Sequence, residues 1–358
     1  MKPRLTTLTI LVIGIAVAIL GTYSKWREFA HAALSQFAPR LTGAPAPYQG
    51  VQEPPASHRH VQPEGPSARL SPASSEPSVS ATRGASIAGL APEGILQRAI
   101  ELLERSTSVA AKTRQAVDLC GKRLVGSGEY LEQRVGGRLM LRLELKIQLA
   151  DEPTVLLQVC DGRYLWRAES YRGKGTAERV DLARVAQALE GREEVFQPGR
   201  LGIWPGLGGL PKLLRALHAG FAFDSAQETT LPDRTPVIGL EGRWRAQALA
   251  ALVPNASSSS TTADPADLGK LPEHLPHRVL LYLGREDLFP FRIEYRRRGA
   301  RLPGGIDLGE DRPIVTMDLF EVTHNVSLNP ARFEFSPGDL KYVEGTDRFL
   351  QQLGLSKR

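Results

Sequence analysis

Between Arg138 and Leu149 the chain alternates strictly between apolar and polar residues, in the segment RLMLRLELKIQL. A period of two is that of a β-strand with one buried and one solvated face. At ~3.3 Å per residue this segment would reach about 40 Å, which is long for a strand. The pattern therefore predicts a long antiparallel sheet with one apolar face. The regularly spaced apolar residues are Leu139, Leu141, Leu143, Leu145, Ile147 and Leu149.

Other segments carry weaker patterns, some with the spacing of a helix and some with the alternation of a strand. Apolar residues three and four apart predict one long amphipathic helix over 93–119, and shorter helices over 180–191, 209–221 and 345–355. The dipeptide Asp161-Gly162 is typical of a type I′ hairpin turn. Further strands are predicted at 126–135, 153–160, 163–169, 236–244, 277–285, 289–297, 312–326 and 333–337.

This order of elements favours an α+β fold with a curved antiparallel sheet, because strands come in runs and do not alternate with helices. The apolar face of that sheet needs a cover, and the long first helix is the evident one. We expect residues 92–358 to form one folded domain, with a low-complexity loop at 254–276.

The amino-terminal part has a different character. Leu5 to Ser24 contains no charged residue and is long enough for a transmembrane helix. Either it is an uncleaved signal anchor, or it is a signal peptide removed after Ala32. The apolar run exceeds the ~7–15 residues of a signal-peptide core, which favours the anchor. Residues 1–4 would then be cytoplasmic, and 25–91 would be a disordered Pro/Ser/Ala-rich tether.

Composition adds limits to this picture. The net charge is +6, but the basic residues are scattered along the chain, so we expect no nucleic-acid partner. With 2 cysteines the chain can be neither a disulfide-stapled scaffold nor a four-thiolate zinc protein. Cys120 and Cys160 form one possible disulfide in an oxidising compartment, and two independent thiols are equally open.

No group of residues has the spacing of a catalytic site. Gly126-Ser127-Gly128 lacks the pentapeptide of a nucleophile elbow and is better interpreted as a turn or bulge in a strand. His274 and His277 lack the further ligands of a metal site. We expect no cofactor, no metal and no enzyme activity.

Four features in order resemble the LolA/LolB-type lipoprotein carrier superfamily of bacterial envelopes. An amphipathic helix leads through GSGEYLEQ to the alternating strand at 138–149. LQVCDGRYLW (157–166) is similar to the family's strand–turn–strand, and a Leu/Arg-rich helical insertion follows. VSLNPARFEFSP (326–337) resembles the family's closing segment. The resemblance covers about residues 92–355.

The resemblance implies an incomplete β-barrel wrapped around helices, with an apolar cavity for acyl chains. The best-known members have a buried arginine tied to a helical lid, and Arg134, Arg138 and Arg142 all compete for that role. The cavity wall would contain Leu139, Leu141, Leu143, Leu145 and Ile147, with Trp166, Trp204 and Leu207 near the rim or lid.

Two functions are therefore open at this point. The first is a single-pass inner-membrane protein, with its bulk in the periplasm, that binds lipid or the acyl chains of a lipoprotein. The second is an envelope sensor or scaffold with a filled core that binds a protein partner. A carrier needs open apolar volume, whereas a scaffold does not.

Overall fold

The computed structural model describes residues 89–119, 122–149, 152–171, 174–190, 208–250, 261–264, 268–269, 271, 275–298 and 311–352. The apolar segment at 5–24 and the tether up to residue 88 lie outside these ranges, as do Cys120, Trp204 and Leu207. No helix within the described ranges is long and apolar enough to cross a membrane.

Five α-helices and a 3₁₀ turn accompany the strands in the described ranges. The helices are α1 (Pro92–Arg105), α2 (Leu182–Leu189), α3 (Gly209–Gly220), α4 (Ala246–Ala250) and α5 (Thr346–Gln352), and the 3₁₀ turn is Pro330–Phe333. The strands are β1 (Ser108–Leu119), β2 (Lys122–Val135), β3 (Arg138–Leu149), β4 (Glu152–Cys160), β5 (Tyr164–Tyr171), β6 (Lys174–Asp181), β7 (Phe221–Thr230), β8 (Pro236–Trp244), β9 (Arg278–Gly284), β10 (Pro290–Arg297), β11 (Arg312–His324) and β12 (Tyr342–Glu344).

These strands form one sheet of 12 strands in the order β12-β6-β5-β4-β3-β2-β1-β11-β10-β9-β8-β7. Every described pairing is antiparallel except that of β12 with β6. The end strands β12 and β7 do not pair with each other, so the curved sheet is not closed. The predicted α+β class and the curved, mostly antiparallel, incomplete barrel are confirmed.

The register of β3 divides the sheet into two faces. Leu141, Leu143, Leu145 and Ile147 are 0–4% exposed and lie on one face, which we call the leucine face. Directly paired residues share a face. The leucine face therefore continues from Leu141 to its partners Glu132 on β2 and Cys160 on β4.

Helices cover the leucine face from both ends of the sheet. Helix α1 packs its apolar side against α3 and β7. Glu93 in its first turn accepts hydrogen bonds from the Phe223 amide at 3.1 Å and Arg245 Nη2 at 2.6 Å, which fixes that end. At the other end α5 packs on β6 and α2, and the Arg167 guanidinium lies 5.9 Å from the Phe349 ring. The predicted first helix thus shares the covering role with others.

Part of the opposite face, on β3 and β5, is covered by a segment that we call the strap (residues 326–344). At the start of the strap, the Val326 carbonyl oxygen accepts a hydrogen bond from Ser108 Oγ at 2.6 Å. Phe333 is fully buried in the 3₁₀ turn, which packs on β3. Phe335 lies 5.2 Å from the Trp166 ring, and β12 completes the strap.

The prediction of one helix over 93–119 was wrong in its second half, because α1 ends at Arg105 and β1 follows from Ser108. The buried residues of β1 alternate, but the inward set includes Thr113 and Gln115, which are polar. The apolar residues alone therefore do not show the two-residue period of this strand. The alanines and valines of the segment also fit the spacing of a helix, which produced the wrong prediction. The inward residues of β1 are Val109, Ala111, Thr113, Gln115 and Val117.

The other differences are local. The predicted strand at 333–337 is part of the strap, where Asn329 Oδ1 caps the 3₁₀ turn by accepting from the Ala331 amide at 3.0 Å. Gly126 and Gly128 form no turn, since β2 pairs with β3 through them without a register shift. Strands β6, β7 and β12 were not predicted. The helices at 182–189, 209–220 and 346–352 confirm three predicted ones.

We expect Phe333→Ala to lower the free energy of unfolding by about 3–5 kcal/mol, because it empties a fully buried site under the strap. Urea denaturation measures the change. Phe320→Ala is the matched control, since Phe320 is 36% exposed and its loss should cost about 0.5 kcal/mol. Equal losses in the two variants would contradict the packing role of the strap.

Candidate functional site

The predicted wall residues of β3 lie together on the leucine face. Leu141, Leu143, Leu145 and Ile147 are buried there, and Leu139 is half-buried at the end of the same row. The apolar surface continues onto β4 through Leu156, which pairs with Leu145. The structure thus brings together the five predicted β3 residues. Whether they line a ligand cavity stays a prediction.

Trp166 lies on the opposite face of the sheet. Its neighbour Leu165 pairs with Cys160 on the leucine face, so Trp166 points to the other side. There its ring lies 5.2 Å from each of the Phe335 and Tyr342 rings of the strap. The structure therefore separates Trp166 from the predicted cavity wall. Trp204 and Leu207 lie outside the described residues.

Helix α3 begins directly over the leucine face of β2. The Leu210 amide donates to Glu132 Oε2 at 3.0 Å and to the Tyr130 hydroxyl at 3.2 Å. Gly209 has a φ of 66°, and a Cβ atom there would lie 2.1 Å from Glu132 Oε2. Glycine is required at this position by both its backbone and its space. The first amides of a helix are unsatisfied donors, and a buried carboxylate is a strong acceptor for them.

The Glu132 carboxyl is the centre of a buried polar group that we call the latch (Tyr130, Glu132, Arg134 and the Leu210 amide). The Tyr130 hydroxyl donates to Oε2, and Arg134 Nη2 donates to Oε1 at 2.5 Å. Burial raises the pKa of Glu132 above the ordinary 4.5, although the Tyr130, Arg134 and Leu210 donors oppose this shift. Ionisation therefore costs more in the folded chain than in the unfolded chain, so stability is lost as the pH rises above about 4.5.

Three arginines were candidates for the buried arginine that the resemblance implies, and the structure places only Arg134 of these three next to α3. Arg134 donates to the Glu132 carboxyl, which in turn accepts the hydrogen bond from the Leu210 amide at the start of α3. Arg138 is exposed, and Arg142 pairs with Glu144 at 2.8 Å on the strap side of β3. The sequence analysis did not identify Tyr130 and Glu132. The alternation of residues along β2 could have indicated them, because Tyr130, Glu132 and Arg134 lie on the same face as Leu141 and Leu143.

Four further polar side chains on the leucine face were also missed. Thr113, Gln115, Thr154 and Gln158 are 0%, 1%, 6% and 5% exposed. Within the described part of the chain, no hydrogen-bond partner meets Thr113 Oγ1, Thr154 Oγ1, Gln158 Oε1 or either side-chain polar atom of Gln115. A buried polar group without a partner costs about 1–3 kcal/mol. The cost makes these four residues unusual in a wall that is otherwise apolar.

Cys160 is a buried thiol on the same face, and it has no disulfide partner among the described residues. Its Sγ donates to the Leu139 carbonyl oxygen at 3.3 Å. Burial raises the pKa of the thiol to about 11. Because Cys120 lies outside the described residues, the possible disulfide between Cys120 and Cys160 stays a prediction.

The described residues of the leucine face offer apolar contacts and a few polar groups. Among the described residues, no group of three or more His, Cys, Asp or Glu side chains is placed to hold a metal ion. The titratable groups of the latch are engaged with one another and with a helix end. An apolar wall, a helix held over its border by polar contacts and a small set of neutral polar groups together suit an amphipathic ligand.

We expect Glu132→Ala to release the start of α3. The Leu210 amide loses its charged acceptor, which is worth about 1.5–3 kcal/mol. Amide hydrogen exchange in peptides covering α3 should accelerate on the order of 10–100-fold, as followed by mass spectrometry.

Glu129→Ala is the control for this variant, because Glu129 lies on the same strand but pairs with Arg332 of the strap. It should accelerate exchange in the strap and leave α3 unchanged. Equal protection of α3 in the wild type and Glu132→Ala would refute the latch.

We expect native Cys160 to resist alkylation by iodoacetamide at pH 8, because at this pH a thiol with a pKa of about 11 holds little thiolate. The measurement uses the Cys120→Ser chain and mass spectrometry of the peptide containing Cys160. Labelling should become complete in urea. A Cys120–Cys160 peptide in a non-reducing digest of the wild type would instead establish the disulfide.

The sequence matches no known protein family profile and no curated protein. The fold is similar to several solved structures. Mycobacterium tuberculosis lipoprotein LppX is 12% identical, with a TM-score of 0.33 and coverage of 66% of this chain and 97% of its own. A putative outer membrane lipoprotein-sorting protein domain from Vibrio parahaemolyticus is 9% identical, with a TM-score of 0.27 and coverage of 66% and 95%.

A LolA superfamily protein from Nitrosomonas europaea is 13% identical, with a TM-score of 0.24, and the match covers 69% of this chain and 98% of that chain. These structures thus include a member of the superfamily that the sequence motifs resemble. The identities and TM-scores are low, so the likeness by itself assigns no ligand to this chain.

Proposed function

We propose that this chain is a non-catalytic envelope protein that binds a lipid, or the acyl chains of a lipoprotein, on the leucine face of its incomplete barrel. The observation that carries the proposal is the row of buried apolar side chains on β3, next to a helix that a polar latch holds to β2. Residues 5–24 would anchor the chain in the inner membrane, and 25–91 would let the folded part reach into the periplasm.

The apolar row supports the proposal by its extent. Keeping each Leu or Ile side chain out of water is worth about 1.5–3 kcal/mol, so the row must be covered at all times by protein or by a ligand. An acyl chain is long, flexible and apolar, and it matches a straight row of side chains along one strand. The row consists of Leu139, Leu141, Leu143, Leu145 and Ile147.

The latch supports the proposal by the way it holds the cover. Helix α3 meets β2 through hydrogen bonds to Glu132 and Tyr130 at its first turn. The rest of α3 packs on α1 and β7, with Leu213, Leu214 and Leu217 buried. We therefore infer that α3 keeps water away from this border of the wall.

A protein-binding scaffold is the second function, and one observation favours it. The strap ends in exposed apolar side chains, with Tyr342 41% and Val343 65% exposed. Exposed apolar residues that lie together mark surfaces for protein partners. A scaffold would use this surface and keep the leucine face filled.

Photocrosslinking separates the two functions. The full-length chain is placed in nanodiscs that contain a diacyl phospholipid with a diazirine in one acyl chain, and crosslinked peptides are mapped by mass spectrometry. We expect crosslinks in the peptide covering β3. Leu143→Glu should reduce them on the order of 10-fold, because a carboxylate on the leucine face disfavours an acyl chain.

Lys146→Glu is the matched control, since Lys146 is exposed on the strap side of the same strand. It should leave the crosslinks unchanged. Leu143→Trp is used in case Leu143→Glu does not fold. In a filled core, Leu143→Trp should lower the free energy of unfolding by about 1–3 kcal/mol. In a ligand cavity, it should block crosslinking with little loss of stability. Crosslinks confined to residues 5–24 in the wild type would overturn the proposal.

A further inference from the structure

The apolar row of β3 becomes more exposed towards one of its ends. Leu139 is half-buried next to the β2–β3 turn, whereas Ile147, near the other end of the row, is 3% exposed. Leu139 pairs with Arg134 of the latch on β2. Among the described residues of the row, a lipid arriving from outside would therefore meet the end at Leu139 first.

Three connections of the chain lie side by side at this end of the sheet. The antiparallel pairing of β3 with both β2 and β4 brings the β2–β3 and β4–β5 turns to the same end. A Cβ atom at Gly162 would lie 3.3 Å from the Arg138 Cβ, so the two turns are neighbours. The Arg134 amide donates to the Thr107 carbonyl oxygen at 2.9 Å, which places the α1–β1 connection beside them. We call these three connections the arginine rim (residues 105–107, 135–138 and 161–164).

The arginine rim has one exposed arginine on each connection, namely Arg105, Arg138 and Arg163. Within the described ranges, none of these three side chains forms an ion pair with a carboxylate. The rim contains a single acidic residue, Asp161, and its Oδ1 accepts the Arg163 and Tyr164 amides at 2.7 and 2.6 Å. The three guanidinium groups therefore have donors available for an anionic partner.

Acidic side chains next to the arginine rim do not cancel its charge, because they are paired with other arginines. Glu104 binds Arg215 Nε at 2.7 Å, and Asp347 binds Arg184 Nη2 at 2.6 Å. Three arginines and one aspartate give the rim itself a net charge of +2. The end of the sheet at which the apolar row becomes exposed is thus positively charged.

Apolar surface lies among these charges. Val135 is 52% exposed and precedes Gly136 and Gly137, whose φ values are 57° and 76°. A Cβ atom on either glycine would meet no described atom within 4 Å, so this turn projects from the sheet. The Arg163 guanidinium lies 4.9 Å from the centroid of the Tyr164 ring. Apolar residues beside arginine and tyrosine are typical of surfaces that contact lipid headgroups.

The shape of the arginine rim favours a bilayer over an acidic peptide. Peptides bind in grooves or along a free sheet edge. The turns at 135–138 and 161–164 instead connect strands that have neighbours on both sides in the sheet, so they offer no free edge. A bilayer surface is broad and carries anionic phosphates, and it can contact several projecting turns at once.

We propose that the arginine rim is the surface by which the folded part of this chain docks on an anionic phospholipid bilayer. Val135 enters the headgroup layer, and the arginines bind lipid phosphates around it. Docking in this orientation brings Leu139, and with it the exposed end of the apolar row, to the bilayer. The entry path rests on the proposed function, whereas docking is measured separately from it.

The test measures whether residue 135 enters the bilayer. The full-length chain with Cys120→Ser, Cys160→Ala and Val135→Cys is labelled with the fluorophore NBD, which emits more strongly and at shorter wavelength inside a bilayer. It is reconstituted into phosphatidylcholine vesicles with or without about 30 mol % phosphatidylglycerol. We expect the change in emission only with phosphatidylglycerol, and we expect about 0.5 M salt to reverse it by screening the charges.

A label at Pro153→Cys is the positional control, because Pro153 is exposed at the opposite end of the sheet. Its emission should be the same in both vesicles. Arg138→Gln with Arg163→Gln should lower the ratio of inserted to free label on the order of 10–30-fold, since each arginine near an anionic surface contributes about 5-fold. Arg123→Gln is the matched charge control, because Arg123 is exposed at the opposite end of β2, and it should leave the ratio unchanged. Urea denaturation verifies that these surface variants are folded.

The docking and the proposed function can fail separately. Equal emission from residue 135 in the two kinds of vesicle, or an equal response from the label at residue 153, would overturn docking by the arginine rim. A response to added polyglutamate and none to phosphatidylglycerol would assign the rim to an acidic protein, and would overturn the proposal as well. Absence of β3 crosslinks from the diazirine phospholipid, with the emission change intact, would overturn the proposed function and the entry path but support docking.

Discussion

One face of this wide, unclosed sheet is apolar along β3 and must be kept out of water, and this constraint organises the rest of the molecule. The opposite face is polar along β3, with Arg142, Glu144 and Lys146, so it needs a cover only at apolar side chains such as Trp166 on β5. Helices α1, α3 and α5 cover the leucine face, and the strap covers that part of the other face. Connections that would otherwise be surface loops are therefore used as packing elements.

The two covers are held by different interactions. The strap is fixed by the fully buried Phe333 and by β12, which extends the sheet. Helix α3 is fixed at its start by the Glu132 carboxylate and by a glycine that no other residue can replace without displacing that carboxylate. The rest of α3 is held by apolar packing, since Leu213, Leu214 and Leu217 are buried and the helix packs on α1 and β7. The polar contacts of the latch add to that packing at one end of the helix, whereas the strap relies on Phe333 and on the pairing of β12.

The parts of the fold that follow from local pattern were predictable from the sequence. The strict alternation of β3 fixed both its strand state and its buried face, and the Asp161-Gly162 turn located the hairpin of β4 and β5. Strand β1 was missed because Thr113 and Gln115 are buried polar residues, so its inward positions do not form an apolar pattern. The latch was missed because Glu132 and Leu210 are far apart in sequence and meet only after the sheet forms. Local periodicity indicates which side chains are buried. It does not indicate which residue from a distant part of the chain will form a hydrogen bond with a buried polar side chain.

Among the described strands, β12 and β7 form the two edges of the sheet, and this has a consequence for association between chains. Unpaired edge strands expose backbone donors and acceptors, and another chain can add a strand there. One edge, β12, has three residues, and the other, β7, is exposed from Asp224 to Thr230 with acidic side chains at Asp224 and Glu228. A short edge and a charged edge are both poor templates for such pairing. The sheet can thus remain unclosed without promoting edge-to-edge aggregation, even where many copies are crowded together.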